Sequence, residues 1–143
     1  MSRLRELVDR HYHGINSHNM NIAVEVFHPD VEAAMPGAPP TRGVDAHREY
    51  GDVLMSAIPD MTVAIKEVYE GPDTIIVEGT FSGTQTGTLT GPGGDIPATG
   101  RRFELDYCDV FKVRDGKVVA HRVYFDQLSL LGQLGVTPAP TGR

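Results

Sequence analysis

The sequence predicts an α+β fold in which helices pack on one face of a strongly curved antiparallel sheet. Three observations carry this. Apolar residues recur at helical spacing as far as Ile58 and alternate in steps of two from Met61; turns rather than helices join the alternating segments; and Gly79, Gly83 and Gly87 recur at every fourth position along one of them. Helices first and strands afterwards, with no βαβ alternation, exclude a doubly wound parallel sheet. Glycines at that density weaken a flat strand but supply the kinks of a curved one. The expected shape is a cone around an apolar pocket, and the pocket is where function is expected.

The elements follow in order. Leu4, Leu7, Val8, Tyr12 and Ile15 form the apolar stripe of a first helix ending between Asn16 and Asn19. Ile22, Ala23, Val26 and Phe27 repeat the pattern in a second helix, which Pro29 is expected to stop. Val31 to Met35 reads as extended, and the loop PGAPPTRG at residues 36–43 is placed to cover a pocket mouth. Val44, His47, Tyr50, Leu54, Ala57 and Ile58 line a third helix that ends at Pro59. Strands are expected from Met61, over 74–85, over 103–113 and over 118–125, with Asp115-Gly116 as a tight hairpin turn. Residues 87–100 read as a glycine- and proline-rich loop. A short last helix over 127–134 closes on Gly135, giving one domain over 1–135 and a flexible tail over 136–143.

Composition narrows the function. At 143 residues, 40% apolar and 22% charged, the chain has ordinary globular usage. A net charge of −6 offers no basic stripe for nucleic acid. Cys108, the single cysteine, makes no internal disulfide, and no apolar run approaches a membrane span. The N-terminal segment is interrupted by charge every two or three residues and lacks a signal-peptide core, so a cytoplasmic protein is expected.

The chemistry-bearing residues stand out by phase. Leu105, Tyr107, Asp109 and Phe111 share one strand face, so a carboxylate lies on an otherwise apolar surface. Such an Asp is either paired and structural or a general acid or base. On the neighbouring strand Val119, His121, Val123 and Phe125 share a face, and His121 is the candidate proton partner of Asp109, the bland alternative being a satisfied buried histidine. Asp126 reads as a helix cap before a catalytic group. His11, His13, His18, His28 and His47 are dispersed without metal-ligand spacing, and no metal site is expected. The GPGG at 91–94 lacks the following Lys-Ser or Lys-Thr and helix of a phosphate loop. No GxSxG motif supports a serine nucleophile, and Cys108 falls on the opposite face from Asp109. What remains is acid-base chemistry, or shape alone, in a pocket whose polar members are Tyr12, Asn16, Tyr50, Gln85, Tyr107, Asp109 and His121, with Phe111, Val123 and Phe125 as apolar walls. The outward set Cys108, Val110, Val118 and Tyr124 suggests a homodimer through the outer sheet face.

Several segments carry a family resemblance: FHPD at 27–30, FSGTQTG at 81–87, IPATGRRFEL at 96–105, RDGKV at 114–118 and HRVYFDQLSLLGQLG at 121–135. Together they resemble a SnoaL-like polyketide cyclase domain of the nuclear transport factor 2-like superfamily, over nearly the whole chain. The resemblance implies intramolecular aldol ring closure on small hydrophobic substrates without metal or cofactor. It also implies an aspartate on the last long strand that moves protons at the reacting carbon. Here that position, just after His121-Arg122, is Val123, and the polar positions of the preceding strand are Tyr107 and Asp109. Limonene epoxide hydrolase, a relative by fold, uses an aspartate at the corresponding place. Four readings follow: a cyclase or isomerase with Asp109 as substitute carboxylate, assisted by His121 and Tyr107; an epoxide-opening enzyme using the same groups; a cyclase acting by preorganising its substrate; and a binding module without chemistry.

Overall fold

The structure is a computed structural model and describes residues 2–91 and 94–136. The tail read from the sequence as flexible, apart from Val136, lies outside the described residues, as do Pro92 and Gly93 of the GPGG segment.

Helix α1 spans Arg3–Asn16 and starts where the Ser2 hydroxyl accepts from the Arg5 amide; Val8, His11, Tyr12 and Gly14 form its buried face. Helix α2 covers only Met20–Ala23, capped by the Asn19 side chain. The sequence pattern carries this helix to Phe27, but the chain instead enters strand β1, Phe27–Ala34, which runs through Pro29. The β1 register is interrupted between Phe27 and Glu32, so Pro29 falls where its missing N–H breaks no ladder bond. Strand β2, Thr41–Arg42, and helix α3, Val44–Ala57, follow.

The remaining chain is mostly strand: β3 Thr62–Glu70, β4 Thr74–Thr84, β5 Leu89–Gly91, β6 Gly94–Ile96, β7 Arg102–Arg114 and β8 Lys117–Phe125, then helix α4, Gln127–Gln133. The β5–β6 hairpin occupies the segment expected to be irregular, pairing Leu89 with Ile96, both buried. Fully buried Gln85 braces that segment: its amide donates to the carbonyls of Gly87, Ile96 and Pro97, and its oxygen accepts from the Thr99 amide and hydroxyl. Asp126 caps α4 by accepting from the Ser129 amide, and Asp115 and Gly116 turn the β7–β8 hairpin at φ 52° and 77°.

The main sheet runs β2-β1-β8-β7-β4-β3. It departs from the antiparallel expectation in one place, because β1 pairs with β8 in parallel. Most of the chain separates these strands, so no hairpin constrains their relative direction. A second irregularity, opposite Lys112 and Val113 where Val119 is the extra residue of β8, shifts the inward phase of that strand near the turn. Val118, expected on the outer face, is therefore 1% exposed and packs with Val8, Phe27 and Val31. Two apolar clusters result, one around Phe27, Val77 and Phe111, the other around Ile58, Phe103 and Leu130; Phe81 and Phe125 pack against both.

Gly79 shows how tightly the cone is closed. A Cβ there would lie 2.2 Å from the Ala64 carbonyl oxygen and 2.6 Å from the Tyr107 ring and hydroxyl. The glycine supplies the space that seats Tyr107 across from β3. Gly79→Ala should lower unfolding stability by about 1–3 kcal/mol, the usual cost of overpacking. Urea denaturation measures it, and an unchanged midpoint would show that the strands separate there at no cost.

No helix among the described residues is long and apolar enough to cross a membrane.

Candidate active site

Between the two clusters lies a cavity of about 140 Å³ whose walls come from the cone interior and the inner faces of α1 and α3. The two-residue period of β7 brings Tyr107 and Asp109 to this cavity, and that of β8 brings His121, Val123 and Phe125. In the ladder Asp109 stands directly opposite Val123, and His121 opposite Phe111. The side chains at 109 and 123 thus enter the cavity side by side, with Cβ atoms ~4.5–5.5 Å apart as such pairs require.

Asp109 and His121 are 5% and 4% exposed, and Asp109 Oδ1 is 3.6 Å from His121 Nε2. The other oxygen, Oδ2, accepts a short hydrogen bond from the Tyr12 hydroxyl. His121 lies flat on Phe111, with centroids 4.4 Å apart at 10°, and its second face stacks on Phe27 at 5.7 Å and 23°. Its Nδ1 is 3.0 Å from His47 Nε2. His11 packs edge-on to His121 and is held by its own Nδ1, 2.8 Å from the Ala23 carbonyl.

These contacts assign the protons. Burial, with His121 adding to it, pushes the His11 imidazole down to about 4 and the His47 imidazole down to about 3, so both are neutral near pH 7. If His121 Nδ1 carried a proton toward His47, the lone pair of a neutral His121 would face the Asp109 carboxylate. The arrangement in which every contact is attractive has His47 Nε2–H donating to His121 Nδ1, leaving His121 Nε2–H directed at Asp109 Oδ1. His47 therefore sets the tautomer of His121. Burial also holds the Tyr107 hydroxyl above its ordinary range, as it does that of Tyr12, and both remain proton donors at neutral pH.

Among the described residues, four buried polar atoms in this group have no hydrogen-bond partner: Tyr107 OH, Asp109 Oδ1, His121 Nε2 and His47 Nδ1. Their residues all line the one cavity. A buried polar atom without a partner costs about 1–3 kcal/mol, and here these costs converge on one space.

The sequence-derived site residues separate into two groups. Tyr12, Tyr50, Tyr107, Asp109, His121, Val123 and Phe125 line the cavity. Asn16 instead clamps β3, donating to the Val63 carbonyl and accepting from its amide at 2.9 and 2.8 Å. Gln85 braces the β5–β6 segment, and Phe111 supports His121 from behind. His11 and His47, read as dispersed, converge on His121. Their signal was the one that marked Asp109, a titratable group within an apolar stripe, on α1 and α3 respectively. Among the described residues, no group of three His, Cys, Asp or Glu side chains is arranged to hold a metal ion.

Buried neutral histidines also tie folding to pH. Below the ordinary value of about 6.5, the unfolded chain binds protons that folded His11 and His47 refuse until about 4 and about 3. Stability is therefore present above pH 6.5 and is lost as pH falls, by up to ~1.4 kcal/mol per unit for each histidine. Thermal unfolding between pH 7 and 4.5 should show this fall, and His11→Phe should flatten it. A melting temperature that stays level over the range would contradict the assigned neutral states.

A curved sheet closed by helices over an apolar cavity with buried titratable groups is the cone of the nuclear transport factor 2-like fold class. The chain belongs to the SnoaL-like polyketide cyclase family, whose profile matches residues 5–134. It is 31% identical over 149 aligned positions to aklanonic acid methyl ester cyclase DnrD of Streptomyces peucetius, an alignment covering 99% of this chain and 98% of that protein. TsrD from Streptomyces laurentii has the same fold, with 27% identity and a TM-score of 0.81 over 93% of this chain and 95% of that one. IdmH from Streptomyces antibioticus is similar at 26% identity and a TM-score of 0.75, over 92% of this chain and 98% of that one.

Proposed function

We propose that this chain is a cofactor-independent cyclase that closes a ring in a small, neutral polyketide by proton transfer at Asp109. The observation that carries the reading is the convergence of Tyr107 OH, Asp109 Oδ1 and His121 Nε2, buried and without hydrogen-bond partners among the described residues, on one apolar cavity. Family membership and the likeness to DnrD, a cyclase of aklanonic acid methyl ester, support the substrate class. Among the described residues no lysine or arginine lines the cavity, which favours a neutral ketone or ester over an anion.

The geometry suits an intramolecular aldol step. Asp109 Oδ1 takes the proton from a carbon beside a substrate carbonyl while Tyr12 holds Oδ2 fixed. The Tyr107 hydroxyl donates to the carbonyl oxygen as it becomes an enolate oxygen. The enolate carbon attacks a second carbonyl of the same molecule, and His121 Nε2–H donates a hydrogen bond to the new alkoxide. The proton that Asp109 removed passes to that oxygen, so Asp109 is again a carboxylate and the product is an isomer of the substrate.

Incubation with aklanonic acid methyl ester in the presence of a chelator should give a ring-closed product of unchanged mass. Tyr107→Phe, which removes one oxygen, should lower kcat ~10²–10³-fold with KM little changed, the usual effect of losing one oxyanion donor. Unaltered turnover in that variant, or no product from the wild-type protein, would count against the reading.

A further inference from the structure

The cavity has a neighbour on its outer side. A second hollow, about 830 Å³, lies against α3 and the segment containing β2. Gly37, Tyr50, Leu54, Leu89 and Thr90 line both spaces, so the two meet along a common wall. The inner cavity, at about 140 Å³, matches the ~150 Å³ that holds one benzene ring. A fused-ring or long-chain polyketide whose reacting end reaches Asp109 has no room to be enclosed there and must extend across that wall.

The outer hollow is built to receive it. Pro39, Pro40, Ala46 and Val53 supply apolar surface, and among the described residues Glu49 is the one charged lining residue. The Thr41 hydroxyl, also in this lining, is buried and has no hydrogen-bond partner among the described residues. An apolar groove with one unmet polar group and no basic residue fits a neutral molecule carrying an oxygen substituent; a phosphate-bearing arm finds no counter-charge.

We propose that this outer groove is the distal half of the substrate site, holding the non-reacting rings or chain of a free, neutral polyketide with a substrate oxygen on Thr41. The proposal rests on reading the inner cavity as the reacting end. It assigns substrate length to the groove, whereas the chemistry depends on Asp109.

Unreactive probes separate the two. Calorimetry with acetophenone, 4-hexylacetophenone and 4-(6-hydroxyhexyl)acetophenone should show a gain over acetophenone of about threefold per methylene that reaches the groove. Ala46→Phe, which fills the groove, should abolish that gain and leave acetophenone binding unchanged. Thr41→Val should weaken the hydroxyl-bearing probe about fivefold to tenfold and leave the hexyl probe untouched. An Asp109→Asn protein should keep the same gain of the long probes over acetophenone, so a failure of turnover there leaves the groove standing. Chain-length gains that survive Ala46→Phe, or equal effects of Thr41→Val on both long probes, would overturn the proposal. Absence of any acetophenone binding would remove the inner-cavity reading and the groove with it.

Discussion

Asp109→Asn is expected to lower kcat ~10²–10⁴-fold, the usual contribution of a general base, while leaving the fold intact. The amide keeps the shape of the carboxyl group and can still accept from Tyr12, so little packing is lost. It no longer offers a basic oxygen at Oδ1, and general base catalysis at a carbon acid contributes ~10²–10⁴-fold. The ladder position of Asp109 gives a sharper form of the test. Val123, where the resemblance places the family's aspartate, is its direct cross-strand partner, and both side chains enter the same cavity. Moving the carboxylate across the ladder in Asp109→Asn/Val123→Asp should therefore recover ~10-fold or more over Asp109→Asn alone. Val123→Asp by itself puts two carboxylates side by side, and the repulsion should cost stability at neutral pH and raise the apparent pKa of the pair. Single-turnover rates and denaturation curves read out the two effects. Full activity in Asp109→Asn would refute the acid-base assignment and leave substrate preorganisation by the cavity walls as the source of catalysis.

The inward set on β7 was legible because a two-residue period is local: the facing of Leu105, Tyr107, Asp109 and Phe111 is decided by the strand that carries them. The Asp115-Gly116 turn was legible for the same reason, but it sets only the pairs next to it, Arg114 with Lys117 and Val113 with Val118; the one-residue register shift beyond them sets His121 and Val123 opposite Phe111 and Asp109. Contacts between elements distant in sequence were not legible. The parallel pairing of β1 with β8 joins segments separated by most of the chain, and the irregularity opposite Pro29 exists only once that pairing is made. His47 sits 74 residues from His121. Nothing in the spacing of either residue announces their hydrogen bond, although each interrupts an apolar stripe. Val118 was misplaced because the register change at Lys112 to Val113 alters the phase without leaving a glycine or proline as its sign. Asn16 and Gln85 were read as pocket residues because they are polar and near apolar neighbours. Their hydrogen bonds to Val63 and to the β5–β6 segment show that a polar side chain there was needed to satisfy backbone groups.

Replacing His121 should have the next largest effect, and its neighbours predict how that effect divides. His121→Phe preserves the stack between Phe111 and Phe27, so the ring can be replaced with little loss of packing. It removes the Nε2–H that faces Asp109 Oδ1, and with it the hydrogen bond that stabilises the alkoxide; kcat should fall ~10²–10³-fold. The same change leaves His47 Nε2–H without its acceptor, a buried loss of about 1–3 kcal/mol in stability. His47 acts one step removed. It is a positioning residue that holds His121 in the tautomer with hydrogen on Nε2, so His47→Phe should lower kcat about tenfold with KM little changed. His47→Gln, which can again donate toward His121 Nδ1, should restore most of that loss. A purely structural role predicts otherwise: both His47 variants would lose stability and leave kcat on the folded fraction unchanged. The ring-nitrogen chemical shifts of His121 distinguish the two accounts directly, since the assigned tautomer should persist in His47→Gln and be lost in His47→Phe.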